Sequence, residues 1–185
     1  LVINKKKIIK SFKNFKNQKP IDHCVIDNFF TREYSKKLEN EFPSYKSDIW
    51  YVYDNPLEKK KATNNWNHFG PYTYTIFQYL NSYEFVNLLS KKLKYKLYPD
   101  NGLNGAGLHI HGQGGNLNAH LDYSLHPKLF HQRKINVIIY LNSNWKKEWG
   151  GALGFWGSKN NTEPGPLIKT IVPKFNRAII FDNSQ

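Results

Sequence analysis

The sequence predicts an α+β fold, mainly β, in which a double-sheet barrel or jelly roll is buttressed by N-terminal helices. Apolar residues recur at helical spacing in the first half of the chain, whereas from Gly107 onward short apolar runs are separated by Gly, Pro and Asn. Helical patterns followed by a run of strand patterns are the mark of segregated α+β architectures. The length of 185 residues suits a single domain that buries its core without staples.

Each element has a local reason. Ile21 to Phe30 reads as a short strand centred on Cys24-Val25-Ile26 that turns at Asp27-Asn28. Thr31 can cap a helix carrying Tyr34, Leu38 and Phe42 on one face, which Pro43 stops. From Ser44 to Thr75 the chain is aromatic, polar and irregular, and Pro56 and Gly70-Pro71 read as breakers, so loops and short strands are expected there. Ser82 can cap a second helix whose apolar stripe is Phe85, Leu88, Leu89 and Leu93, with Lys91, Lys92 and Lys94 near its C-terminal end. After the turn at Pro99-Asp100-Asn101-Gly102, strands are expected over 107–111, 116–121, 134–141, 152–156, 167–172 and 177–181.

The net charge of +13 is concentrated at the start. Lys5, Lys6, Lys7, Lys10, Lys13, Lys16 and Lys19 stand in the first nineteen residues with no acid among them. Residues 1–20 are expected to be a solvated basic arm ahead of a domain over 21–185, rather than a nucleic-acid-binding element, because no zinc-finger, RNP or helix-turn-helix pattern accompanies them. Cys24 is the one cysteine, so no internal disulfide is possible. Neither a spanning apolar segment of about 18 residues nor a signal-peptide core is visible, which points to a cytoplasmic protein without membrane partners. The chain has no methionine and its last residues read as a strand that has barely ended, so a C-terminally truncated domain is expected.

The chemistry centres on His120-Leu121-Asp122. On an extended strand, side chains two apart share a face, so an imidazole and a carboxylate could meet at one divalent metal. Seven His and seven Asp give such a triplet about 0.26 times by chance, so its context matters. Gly112-Gln113-Gly114-Gly115 allows tight turning upstream, and Arg133 opens a strand in which Asn136, Ile138 and Tyr140 alternate with Ile135, Val137 and Ile139. His109 and His111 form a weaker rival pair with no suitably spaced carboxylate. His126 and His131 read as polar loop residues, and Trp145, Trp149 and Trp156 as packing residues.

Together, His120-Leu121-Asp122, the run Arg133 to Asn142, Trp145, Gly150-Gly151-Ala152-Leu153 and Val172 to Ala178 resemble the prolyl-4-hydroxylase-like branch of the iron(II)/2-oxoglutarate-dependent oxygenases, over roughly residues 105–182. The resemblance implies a double-stranded β-helix, iron(II) and 2-oxoglutarate, and it admits ascorbate as an accessory. His120 and Asp122 would be two ligands of a 2-His-1-carboxylate centre, which leaves three positions for a chelating 2-oxoacid and dioxygen. Tyr140 would donate to the distal carboxylate of 2-oxoglutarate as a neutral phenol, Asn136 would line the same pocket, and Arg133 would support loop or carboxylate geometry. The distal histidine and the basic partner of 2-oxoglutarate are expected beyond Gln185. The implied activity is hydroxylation of an unactivated C–H bond coupled to decarboxylation of 2-oxoglutarate to succinate. A peptide or small-molecule substrate is expected, with Trp50-Tyr51-Val52-Tyr53, Trp66 and Tyr72 as candidates for a peptide groove. The competing expectations are a non-catalytic jelly-roll binding module that has lost its metal centre and, last, a nucleic-acid-binding protein.

Overall fold

The computed structural model describes residues 2–160 and 163–183. Leu1, Asn161, Thr162, Ser184 and Gln185 lie outside the described residues. In chain order the elements are α1 (Lys5–Ser11), β1 (His23–Asp27), α2 (Arg32–Glu41), β2 (Tyr51–Asp54), β3 (Glu58–Thr63), α3 (Pro71–Leu80), α4 (Tyr83–Leu93), β4 (Leu108–Ile110), β5 (Asn116–Leu117), β6 (Ile135–Tyr140), β7 (Leu153–Ser158), β8 (Pro164–Ile171) and β9 (Arg177–Asp182). Short 3-10 turns occupy Phe12–Asn17, Trp66–His68 and Lys147–Trp149. The chain divides into two compact units, residues 1–35 with 119–185 and residues 36–118.

In the first unit the aliphatic strand β9 lies between β1 and β6, antiparallel to both. Ala178, Ile179 and Ile180 are fully buried. Strand alternation divides the sheet into two faces. One carries Val25, Ile179 and Ile138 in register, flanked by His23, Phe181 and Asn136 on one side and by Asp27, Arg177 and Tyr140 on the other. The antiparallel pair β7–β8 packs against that face through Phe155 and Ile171, which join Ile179 and Phe181 in a core edged by Ile21, Val25, Ile138, Tyr140 and Leu153. Two layers of sheet therefore enclose an apolar middle, as the alternating pattern of the strands requires. The expected α+β, mainly β character holds, and the sheets are antiparallel.

The lysine-rich start is not a solvated arm. Asn4 caps α1 through its side chain, and α1 and the turn after it lie against β1 with Ile8, Phe12 and Phe15 buried. Lys7 Nζ donates to the Asp27 carbonyl (2.6 Å). The helical spacing of these apolar residues buries one side of the segment and leaves Lys6, Lys10, Lys13, Lys16 and Lys19 exposed on the other.

The second unit has its own antiparallel sheet, β2–β3–β4 with β5 also on β3, and the helices α3 and α4. Ser82 caps α4 as expected, its Oγ accepting from Phe85 N–H (3.2 Å). The helix α3 was not expected, since Gly70-Pro71 read as a breaker. Proline at the first helical position costs nothing, because that N–H has no intrahelical partner. Glu41 takes the place of a cap, accepting from the N–H groups of Tyr72 and Thr73.

Asn176 ties the loop after β1 to the start of β9. It adopts a left-handed φ of 60°, is 3% exposed, and its amide both donates to the Phe30 carbonyl and accepts from the Phe30 N–H, at 2.9 Å each. Its own N–H donates to the Tyr140 carbonyl (2.8 Å). Asn176→Ala is expected to lower the unfolding free energy by about 3 kcal/mol in chemical denaturation, because two buried backbone groups lose their partners and alanine is strained at that φ. Asn176→Gly, which removes only the amide bonds, should lose less.

Asp27 is the charged anchor of the same region. Arg177 grips it with Nε at 2.6 Å and Nη2 at 3.1 Å, and Lys174 adds a third contact at 3.0 Å. The Arg177 hydrogen bond, opposed by partial burial and aided by Lys174, holds the Asp27 carboxyl down at about 2. A lowered folded-state pKa stabilises the fold above the ordinary carboxylate value and ceases to do so as pH falls through the folded value. Thermal melts from pH 5 to pH 2 should therefore fall less steeply for Asp27→Asn than for the parent.

Candidate metal and co-substrate site

His120, Asp122, Arg133, Asn136 and Tyr140 all lie in the first unit, on or near the enclosed face of the β1–β9–β6 sheet. The strand expected over 116–121 is regular only at Asn116–Leu117, and residues 118–123 run as irregular backbone. His120 and Asp122 nevertheless converge, with Nε2 of the imidazole 3.6 Å from Oδ1 of the carboxylate. Two donors placed about 2.1 Å from one ion at right angles stand about 3 Å apart, so this pair is close to the spacing of neighbouring ligands. One imidazole nitrogen and one carboxylate oxygen suit a divalent ion of intermediate softness such as iron(II). Among the described residues no group of three or more His, Cys, Asp or Glu could hold a metal ion.

The carboxylate of Asp122 is held from several sides. Its Oδ2 accepts from Nδ2 of Asn136 and from Nδ2 of Asn183, both at 2.9 Å. Oδ1 faces His120 and, at 3.4 Å, Nη1 of Arg133. Burial by itself would raise the pKa of Asp122, but the donors His120, Arg133, Asn136 and Asn183 hold it down at about 2. The group is therefore an anion at neutral pH.

Arg133 is far from an exposed arginine, its side chain being only 17% accessible. Its Nε donates to Oδ1 of Asn136 (3.0 Å) and its guanidinium stacks over the Tyr123 ring at 4.7 Å. Asn136, expected to line the co-substrate pocket, has both ends of its amide engaged, one with Arg133 and one with Asp122. Asn183 was not anticipated. The signal was available, since it stands two residues beyond Phe181 on β9 and alternation places it on the same face.

Tyr140 sits four residues along β6 from Asn136, on the same face and opposite Arg177. Burial pushes its phenol up to about 12, against the pull of the Arg177 cation. It is a neutral donor at the edge of the apolar core.

The remaining candidates separate from this site. His109 and His111 belong to the other unit, and burial together with the nearby Lys60 cation pushes His109 down to about 4. His126 is buried, and its Nδ1 accepts from the N–H groups of Lys128 and Leu129 (3.1 and 3.0 Å), so it shapes the loop after the triplet. Trp145 donates to the Gly150 carbonyl (2.9 Å), but Trp149 and Trp156 are exposed, contrary to the packing role expected of them. Of the proposed groove aromatics, Trp50 is buried, whereas Tyr51 is 67% exposed. Cys24 is buried and its thiol is pushed up to about 12 by that burial, which makes it unreactive. No helix among the described residues is long and apolar enough to cross a membrane.

Residues 106–185 match the family model described as the 2OG-Fe(II) oxygenase superfamily. The chain is 38% identical over 52 residues to prolyl 3-hydroxylase OGFOD1 of Xenopus laevis, a match covering 28% of this chain and 10% of that protein. It is 24% identical over 167 residues to prolyl 3-hydroxylase OGFOD1 of Mus musculus, covering 89% of this chain and 28% of that protein. The chain thus spans less than a third of the length of these curated relatives. Over residues 106–185 this chain carries the pattern of the 2OG-Fe(II) oxygenase superfamily, and its likeness is to the prolyl-hydroxylase kind.

Proposed function

We propose that this chain supplies part of the centre of an iron(II)/2-oxoglutarate-dependent dioxygenase that hydroxylates an unactivated C–H bond, with a prolyl group in a peptide as the favoured substrate class. The observation that carries the reading is the approach of His120 Nε2 to Asp122 Oδ1 at 3.6 Å, with the carboxylate anionic and anchored. In this reading the stacked layers β1–β9–β6 and β7–β8 are part of a double-stranded β-helix.

His120 and Asp122 would hold the metal. Iron(II) with 2-oxoglutarate supplies the oxidising chemistry, coupling decarboxylation of the co-substrate to succinate with hydroxylation of the substrate; ascorbate would serve as an accessory. The protein's own groups do the rest. Tyr140 offers a phenol that stays protonated at neutral pH, suited to donate to a carboxylate without adding charge. The Arg177 cation opposite it is already paired with Asp27, so the neutral donor is left beside a satisfied ion pair. Arg133 and Asn136 form the polar end of the same face.

Succinate release by the full-length protein containing this chain, with iron(II), 2-oxoglutarate and a prolyl peptide, should fall by roughly 100-fold or more in His120→Ala and in Asp122→Ala. Turnover that survives both substitutions overturns the assignment, and a parent protein without turnover makes a binding module the better reading. Tyr140→Phe is expected to raise the KM for 2-oxoglutarate about 10- to 100-fold, the loss of one hydrogen bond to a charged group, with a smaller change in metal affinity. An unchanged KM would remove Tyr140 from the co-substrate site.

A further inference from the structure

The polar end of the enclosed face does more than bring an anion next to an imidazole: it distinguishes the two oxygens of Asp122. A carboxylate oxygen offers about two acceptor directions, and Oδ2 uses both on neutral amides, Asn136 Nδ2 and Asn183 Nδ2 at 2.9 Å each. Among the described residues Oδ1 faces His120 Nε2 (3.6 Å) and Arg133 Nη1 (3.4 Å) rather than an amide.

The orientation of the Asn136 amide is itself determined. Arginine has donors and no acceptor, so the Asn136 group beside Arg133 Nε must be its oxygen, and its NH2 is thereby turned toward Asp122. Arg133 is held in turn over the Tyr123 ring. Asn183 is fixed through its main chain, which donates to the Lys134 carbonyl (2.7 Å) at the end of the β6–β9 ladder.

We infer that Asn136 and Asn183 are positioning residues that clamp Oδ2 of Asp122 and leave the carboxylate only Oδ1 with which to bind a metal. The inference rests on the metal-binding reading proposed above. Its chemical purpose follows from coordination number. A six-coordinate ion with three protein ligands keeps three positions, two for a chelating 2-oxoacid and one for dioxygen, and a carboxylate binding through both oxygens would take one of them. Being neutral, the two amides restrict the carboxylate without adding to the positive charge that Arg133 already brings within 3.4 Å of Oδ1. Partners of this kind commonly govern metal affinity by 10- to 100-fold.

The test uses cobalt(II) as a spectroscopic probe bound to the full-length protein in place of iron. Parent protein and the variants Asn136→Ala, Asn183→Ala and Asn183→Ser are titrated by calorimetry and visible absorption, with thermal melts to confirm folding. Asn183→Ser keeps a small donor and guards against a misfolded alanine variant. The expected result is a fall in cobalt affinity of about 10- to 100-fold in each alanine variant at a nearly unchanged melting temperature. The d–d absorption should weaken as the freed Oδ2 adds a ligand, and Asn183→Ser should lie between the alanine variant and the parent. Affinity within about twofold of the parent, with an unaltered spectrum, overturns the clamp while leaving the metal site intact. Parent protein whose cobalt binding is insensitive to Asp122→Ala overturns the metal reading and the clamp with it.

Discussion

The register of β9 between β1 and β6 is the constraint on which the rest of the first unit depends. In an antiparallel ladder a slip of one residue moves every side chain to the opposite face. Here Ala178, Ile179 and Ile180 are buried on both sides, so a slip would force Arg177 and Asn183 onto the wrong face and expose or overpack the aliphatic positions. The same register that closes the core therefore aligns Asn136 with Phe181 and brings Asn183 to the carboxylate of Asp122. Packing and site geometry rest on one set of backbone hydrogen bonds.

The enclosed face separates its charges in an orderly way. At one end the Asp27 carboxylate neutralises Arg177 beside the neutral phenol of Tyr140; in the middle Val25, Ile179 and Ile138 exclude water; at the other end Asp122 is surrounded by donors. Placing a charge in a poorly solvated layer is costly unless it is paired and hydrogen-bonded. Both carboxylates meet that condition, Asp27 through its ion pairs with Arg177 and Lys174 and Asp122 through His120, Arg133 and two amides, and the difference bears on function. Arg177 and Lys174 take both oxygens of Asp27, whereas the amides take Oδ2 of Asp122 and leave Oδ1 facing His120 and Arg133.

Sequence reasoning failed where a residue's meaning depended on its partner. Gly70-Pro71 looks like a stop, yet it starts α3 because the carboxylate of Glu41, some thirty residues away, satisfies the first amides. The leading lysines look like a solvated arm because charge dominates composition, while Ile8, Phe12 and Phe15 among them find a sheet to cover. His126 is a polar loop residue as expected, but a buried one, its ring accepting from two backbone amides of its own turn.

The sequence by itself determined the alternation of β6 and β9 and the capped helix over 83–93, because each depends on spacing within a few residues. Only the tertiary structure decided that Asp27 meets Arg177 across 150 positions, that Arg133 turns the Asn136 amide, and that Asn183 completes the hold on Asp122. Local periodicity says which face a side chain is on. Which other side chains share that face is settled by strand order and register, and those are set by burial summed over the whole sheet.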